Sequence, residues 1–128
     1  MNCHCGDLKS YTDCCQKAHH NVAEAKTAEQ LMRSRYSAFV LANGDYLMAT
    51  HHVSTRPTKE KKAIVNWAKS VKWIKLEVLE TSEGQENDTK GTVTFNAYFF
   101  EKGKVDVIHE KSAFVRENNL WSYLGLSK

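Results

Sequence analysis

Apolar side chains recur every three or four positions from residue 27 to about residue 68, and alternate from Trp73 onward. The first period predicts helices and the second predicts strands. Thr27-Ala28-Glu29-Gln30 has the form of a capping box, with Thr27 at the N-cap and Gln30 at N3. Ala28, Leu31, Met32, Phe39 and Ala42 then share one face, and Asn43-Gly44 ends the helix. A short second helix is predicted from Asp45 through Thr50. A third runs from about Thr58 to Ala68, directly after Pro57, with Ala63, Ile64 and Trp67 inward.

In the alternating half, Trp73 to Leu79 places Ile74, Leu76 and Val78 on one face. Gly84 to Lys90 is a polar loop. Thr92 to Phe100 sets Val93, Phe95, Ala97 and Phe99 against Asn96, Tyr98 and Phe100. Glu101-Lys102-Gly103-Lys104 reads as a hairpin turn, Val105 to Arg116 as the third strand, Asn118-Asn119 as a second turn and Leu120 to Leu126 as the last strand. Helices followed by a meander predict an α+β fold: a curved antiparallel sheet of about four strands packed on N-terminal helices. Long strands twist and curl, and a curled sheet closed by helices leaves a conical pocket suited to a ligand.

One charge breaks the helical pattern. Arg35 falls among Ala28, Leu31, Met32 and Phe39, whereas Arg33 points away, as a solvated arginine does. A guanidinium on a buried face needs a partner. The third strand carries Ile108, Glu110, Ser112 and Phe114 at alternate positions, so one inward face holds a carboxylate. The expected arrangement is an Arg35–Glu110 pair lining the pocket. His109 takes the opposite face, and His51 and His52 close the second helix as surface residues.

Ahead of the helices the chain is of another kind. Cys3, Cys5, Cys14 and Cys15 are its four cysteines, and all fall within the first fifteen residues. Two close pairs joined by a short loop can wrap a tetrahedral ion, and a closed set of four thiolates is a structural zinc pattern. A disulfide framework, a redox dithiol and an iron–sulfur cluster are the rivals. Residues 1–16 hold only Met1, Leu8 and Tyr11 as apolar residues besides the thiols, too few for a core. A structural metal, worth on the order of 10–16 kcal/mol in small peptides, orders such a segment. Residues 16–26 read as a linker, with His19 and His20 on its surface.

Composition narrows the classes. Of 128 residues 41% are hydrophobic and 26% charged, an ordinary globular balance that argues against wholesale disorder. Mean hydropathy is −0.55. No apolar run reaches the ~18–20 residues of a membrane span. The net charge of +3 is too small to indicate nucleic acid. The Lys59-Glu60-Lys61-Lys62 run reads as a solvated helix start. The polar, cysteine-rich beginning has no secretory h-region, and a cytoplasmic location is expected.

The Cys3 to Cys15 run resembles the SEC-C motif, C-P-C-G-S-G-x-x-Y-x-x-C-C-G. Thr27 to Phe39 resembles the signature of the YchJ family. Asp45-Tyr46-Leu47, His52 with Ser54-Thr55-Arg56-Pro57, and His109 to Glu117 with Trp121 continue that resemblance over nearly the whole chain. It implies a SEC-C zinc knuckle over residues 1–18 on a cystatin-like cone over residues 27–128, of the nuclear transport factor two superfamily. It assigns Zn²⁺ to Cys3, Cys5, Cys14 and Cys15. The sequence departs from the motif at His4 (for Pro), at Asp7-Leu8 (for Ser-Gly) and at Gln16 (for Gly). Some relatives carry a second such motif at the C-terminus, and this sequence ends at Lys128 without it. SEC-C motifs elsewhere, as at the tail of the protein-translocation ATPase, act as docking knobs for the chaperone SecB, ribosomes or phospholipid.

The expected function is that of a zinc-binding accessory module whose knuckle docks a protein or ribosome partner. A small-molecule ligand in the cavity is compatible with it. The alternative is a small cavity enzyme, a hydrolase or isomerase. There Glu110 serves as general base, Arg35 orients an anionic substrate, and Ser112 or Tyr36 donates hydrogen bonds. Phe114 completes the pocket candidates.

Overall fold

Helix α1 (Cys15–His20) begins inside the cysteine segment of a computed structural model that describes residues 2–6 and 8–127. A 3₁₀ turn (Val22–Glu24) leads to α2 (Ala28–Val40), α3 (Gly44–Ala49) and, after a second 3₁₀ turn (Thr58–Glu60), α4 (Lys61–Ser70). Four strands follow: β1 (Lys72–Glu83), β2 (Lys90–Glu101), β3 (Lys104–Glu117) and β4 (Leu120–Leu126). They form one antiparallel sheet in the order β1-β2-β3-β4, as the alternating half of the sequence requires. Among the described residues no helix is long and apolar enough to cross a membrane.

The capping box forms, with a shift. Thr27 Oγ1 accepts from the Gln30 N–H at 3.1 Å, and the Gln30 side chain accepts from the Lys26 N–H at 2.7 Å. Asn43 does more than end α2. Its side chain accepts from the Tyr46 N–H at 3.1 Å and so caps α3. Gly44 is needed at that start because α4 passes close by: a Cβ there would lie 2.5 Å from Val65 Cγ2. Gly44→Ala is expected to cost about 1–3 kcal/mol as overpacking, measured by chemical denaturation.

α2 is buried on both sides, which the single apolar stripe did not convey. Leu31, Met32 and Tyr36 face the sheet core with Val93, Phe95, Phe114 and Trp121. Ser34 and Ser37, on the polar side, are also buried, because the cysteine segment packs over them. The expected linker over residues 16–26 is part of this packing. Ala18 and Ala25 belong to the core, and Val22 packs against it.

Two inward positions differ from expectation. A β-bulge between Trp73 and Lys75 turns Trp73 inward and leaves Ile74 49% exposed, while Leu76 and Val78 stay on the core side. Ala63 is exposed on α4, whose Ile64 packs against the core. Lys61 forms an ion pair with Asp45, tying the start of α4 to α3.

Candidate metal centre and cavity

The four sulfurs meet although the chain between them is short of hydrophobic support. Cys3 N–H donates to Lys9 O at 2.7 Å and Gly6 N–H to Cys3 O at 3.1 Å, closing a tight turn in which Gly6 takes φ +92°. Tyr11 O then accepts from the N–H groups of Cys14, at 3.1 Å, and Gln16, at 3.0 Å, which starts α1. The result brings the Sγ atoms of Cys3, Cys5, Cys14 and Cys15 within 4.8 Å of one another. Cys5 and Cys14 lie 3.6 Å apart, Cys14 and Cys15 4.0 Å. Metal–sulfur bonds of about 2.3 Å at tetrahedral angles place sulfurs about 3.8 Å apart, so the cluster has the dimensions of a four-thiolate site.

The electrostatics agree. Burial and the adjacent Cys5 thiol push Cys14 up to about 12. The hydrogen bond from Cys5, with burial behind it, pushes Cys15 up as well. Four sulfurs this close cannot ionise together unless a cation compensates them, and a bound ion deprotonates coordinating thiols outright. Ser37 supports the cluster from α2, its Oγ 3.6 Å from Cys3 Sγ.

The segment is fastened to the body by groups that sequence reading placed in solvent. Arg33 is not free: it donates to Glu29 at 2.9 Å and, through Nη1, to Cys5 O at 2.6 Å. His19 is not a surface residue either. Its Nε2 lies 2.7 Å from Ser34 O, which can only accept, so Nε2 carries the proton and Nδ1 accepts from Tyr11 Oη at 2.6 Å. Burial lowers the His19 pKa and keeps the ring neutral in this bridge. Tyr46 packs against the same ring at a tilt of 57°, centres 4.5 Å apart, and its hydroxyl meets Ser34 Oγ at 2.6 Å. At the motif departures, the His4 ring lies 6.1 Å from Tyr11, and Gln16 sits within α1. Leu8 is 85% exposed, and Asp7 lies outside the described residues.

The second candidate region is a cavity of about 130 Å³ between α2, α4 and the inner face of the sheet. Arg35, Tyr36, Glu110 and Ser112 all line it. Phe114 does not. It is 1% exposed and packs beneath Tyr123, ring centres 5.7 Å apart. The direct Arg35–Glu110 ion pair does not form. Arg35 Nη1 donates instead to Leu47 O at 2.9 Å and Thr50 Oγ1 at 2.8 Å. Glu110 Oε2 accepts from Ser112 and, at 2.7 Å, from the Tyr123 hydroxyl. Tyr123 stands between the two: the guanidinium sits 4.7 Å over its ring. Burial draws the Arg35 pKa down to about 10, against the opposing influence of Tyr123, Tyr46 and Glu110, so it stays charged at neutral pH.

The remaining histidines lie away from the cavity lining. His109 meets Asn96 at 2.7 Å on the outer face. His52 bridges Ser54 at 2.7 Å and Glu117 at 2.9 Å. His51 stands edge-on to Tyr123 at 5.0 Å, and burial together with Arg35 and Arg56 lowers its pKa to about 4. A histidine with a lowered folded pKa binds protons better when unfolded, so its contribution holds above about 6.5 and is lost as pH falls toward 4. Melting temperature is expected to decline over that window, and less steeply for His51→Gln. Parallel curves would contradict it.

A cysteine knuckle docked on a helix-backed curved sheet defines a protein of the SEC-C type with a body of the nuclear transport factor two kind. The chain matches the family model for the YchJ middle NTF2-like domain over residues 27–125. It is 45% identical to a UPF0225 protein of Vibrio parahaemolyticus, over 96% of this chain and 72% of that one. It is 40% identical to one of Streptomyces coelicolor, over 94% and 90%. The solution structure of a SEC-C motif containing protein from Rhodopseudomonas palustris superposes with a TM-score of 0.85 at 33% identity, covering 99% of this chain and 98% of that one. A crystal structure of another from Psychrobacter arcticus gives 0.82 at 33%, covering 98% and 82%. The chain belongs to the YchJ (UPF0225) family.

Proposed function

We propose that Cys3, Cys5, Cys14 and Cys15 hold one zinc ion as a closed structural site, and that the knuckle it orders docks a protein or ribosome partner in the cytoplasm. The observation that carries this reading is the convergence of the four sulfurs within 4.8 Å on a segment with almost no core of its own. Four thiolates fill a tetrahedral shell and leave no open position for a substrate, which favours a structural over a catalytic ion. The ion supplies cross-linking of the segment. The protein's own residues orient it, through Ser37 beside Cys3, Arg33 on Cys5 O, and the Tyr11–His19–Ser34 bridge.

A groove of about 310 Å³ beside the knuckle supports docking. It is lined by Lys9, Lys17, Lys26 and Arg33 against Asp13 and Glu24. Ribosome co-sedimentation tests the idea against affinity capture of a discrete protein. The metal-loaded chain is expected to bind in one of the two assays, and Cys14→Ser with Cys15→Ser is expected to abolish it. Binding in neither, or binding unaffected by the two changes, would overturn the docking role.

The cavity-enzyme reading keeps one observation in its favour, the open space beside Glu110. Against it, Glu110 already accepts from Ser112 and Tyr123, and among the described residues no histidine lines the cavity as a proton partner. Docking is therefore the function we assign.

A further inference from the structure

We propose that the cavity between α2, α4 and the sheet binds a compact, uncharged ring compound bearing a hydrogen-bond acceptor and donor side by side, as a carboxamide does. Size sets the first limit. The space is about 130 Å³, and an apolar protein cavity of about 150 Å³ accommodates one benzene ring. Phe39, Trp67, Trp73, Phe95 and Ile108 give it apolar and aromatic walls.

The polar groups set the second limit. Tyr36 is 3% exposed, lines the cavity, and its hydroxyl has no hydrogen-bond partner among the described residues. Arg35 engages its partners through Nη1 alone, and Glu110 accepts through Oε2 alone. No side-chain nitrogen or oxygen among the described residues is sealed away without a partner. The idle donors of Arg35 and Tyr36 and the idle acceptor of Glu110 are therefore not sealed off, and all three residues line the space. An acceptor on the ligand would take the first two, and an adjacent N–H or O–H the third.

Charge balance sets the third limit. A carboxylate ligand would be drawn to Arg35 but meet Glu110; a cation would meet the reverse. Only an uncharged molecule satisfies both without facing a like charge at close range. Binding of this kind requires no reaction at Glu110 and is independent of the knuckle.

Indole N–H resonances of the full, ¹⁵N-labelled chain test the proposal, with benzamide as probe and benzoate and benzamidine as charged controls. Trp67 and Trp73 line the cavity, whereas Trp121 is 1% exposed and donates elsewhere, to Lys26 O at 3.1 Å. Benzamide is expected to shift Trp67 and Trp73 saturably and leave Trp121 in place, with both controls about tenfold weaker. Glu110→Gln is expected to favour benzoate over benzamidine by about tenfold relative to the parent chain. Tyr36→Phe, which removes a hydroxyl the fold does not use, is expected to weaken benzamide about threefold to tenfold with stability unchanged. The proposal fails if benzamide leaves Trp67 and Trp73 unmoved, if Trp121 moves with them, or if a charged control binds as tightly. It fails too if both variants bind as the parent does.

Discussion

Replacing Cys5 by Ser, or stripping the metal with a chelator, is expected to release residues 2–20 to rapid amide exchange while β2 and β3 stay protected. The size of the effect follows from what holds the segment. Among the described residues its own cluster consists of Cys3, Cys5 and Cys15, with Tyr11 and Cys14 packed against it. Its ties to the body are a few polar bridges, each worth about 0.5–1.5 kcal/mol net. A structural zinc contributes about 10–16 kcal/mol in comparable short segments, so the ion dominates the balance. The body loses less, because the large fully buried residues Trp121, Phe114, Leu31, Leu47 and Val93 lie within its own core. Some coupling is expected through Ala18, which belongs to that core, so the apo chain should also melt at a lower temperature. Intact protection of residues 2–20 in the stripped chain would show that the segment folds by packing alone.

The second large effect lies at Arg35. Arg35→Ala is expected to lower unfolding stability by about 3–5 kcal/mol in urea. It removes a side chain that is 6% exposed, frees Leu47 O and Thr50 Oγ1 of a donor, and takes the cation off the Tyr123 ring. Arg35→Met is expected to cost less than Arg35→Ala, since an unbranched apolar chain refills the space without leaving a charge. Arg35→Lys keeps the charge but loses the planar group that stacks on Tyr123 while donating to α3, and should fall between the two. An alanine variant within 1 kcal/mol of the parent would mean the guanidinium is solvated rather than structural.

These two sites show what a sequence makes legible. The Thr27 cap, the strand alternation around Val93, Phe95 and Ala97, and the closeness of the four cysteines are short-range patterns, and each has its counterpart in the fold, the cap with its Gln30 arm shifted to the Lys26 N–H. Arg35 announced itself by breaking a pattern. Its partners did not, because one is the backbone carbonyl of Leu47 and another a ring, and neither has a charge signature. α1 went unread for a related reason. A six-residue helix is too short for periodicity, and its stability comes from the packing of Cys15 and Ala18 rather than from propensity. Arg33 looked solvated because it lies off the apolar stripe of α2, and Ser34 and Ser37 carried no signal of burial. Only the fold reveals that a thiol-rich segment covers them, accepting from Arg33 and sharing His19 with Ser34. The bulge that turns Trp73 inward and Ile74 outward is a matter of register, set by pairing with Phe99 and Tyr98 across the sheet.

Native mass spectrometry of the reduced, purified chain, with elemental analysis of the same sample, tests the metal assignment most directly. One zinc per chain is the predicted result, absent after Cys5→Ser. A chain that carries no metal and still protects residues 2–20 from exchange would contradict the account.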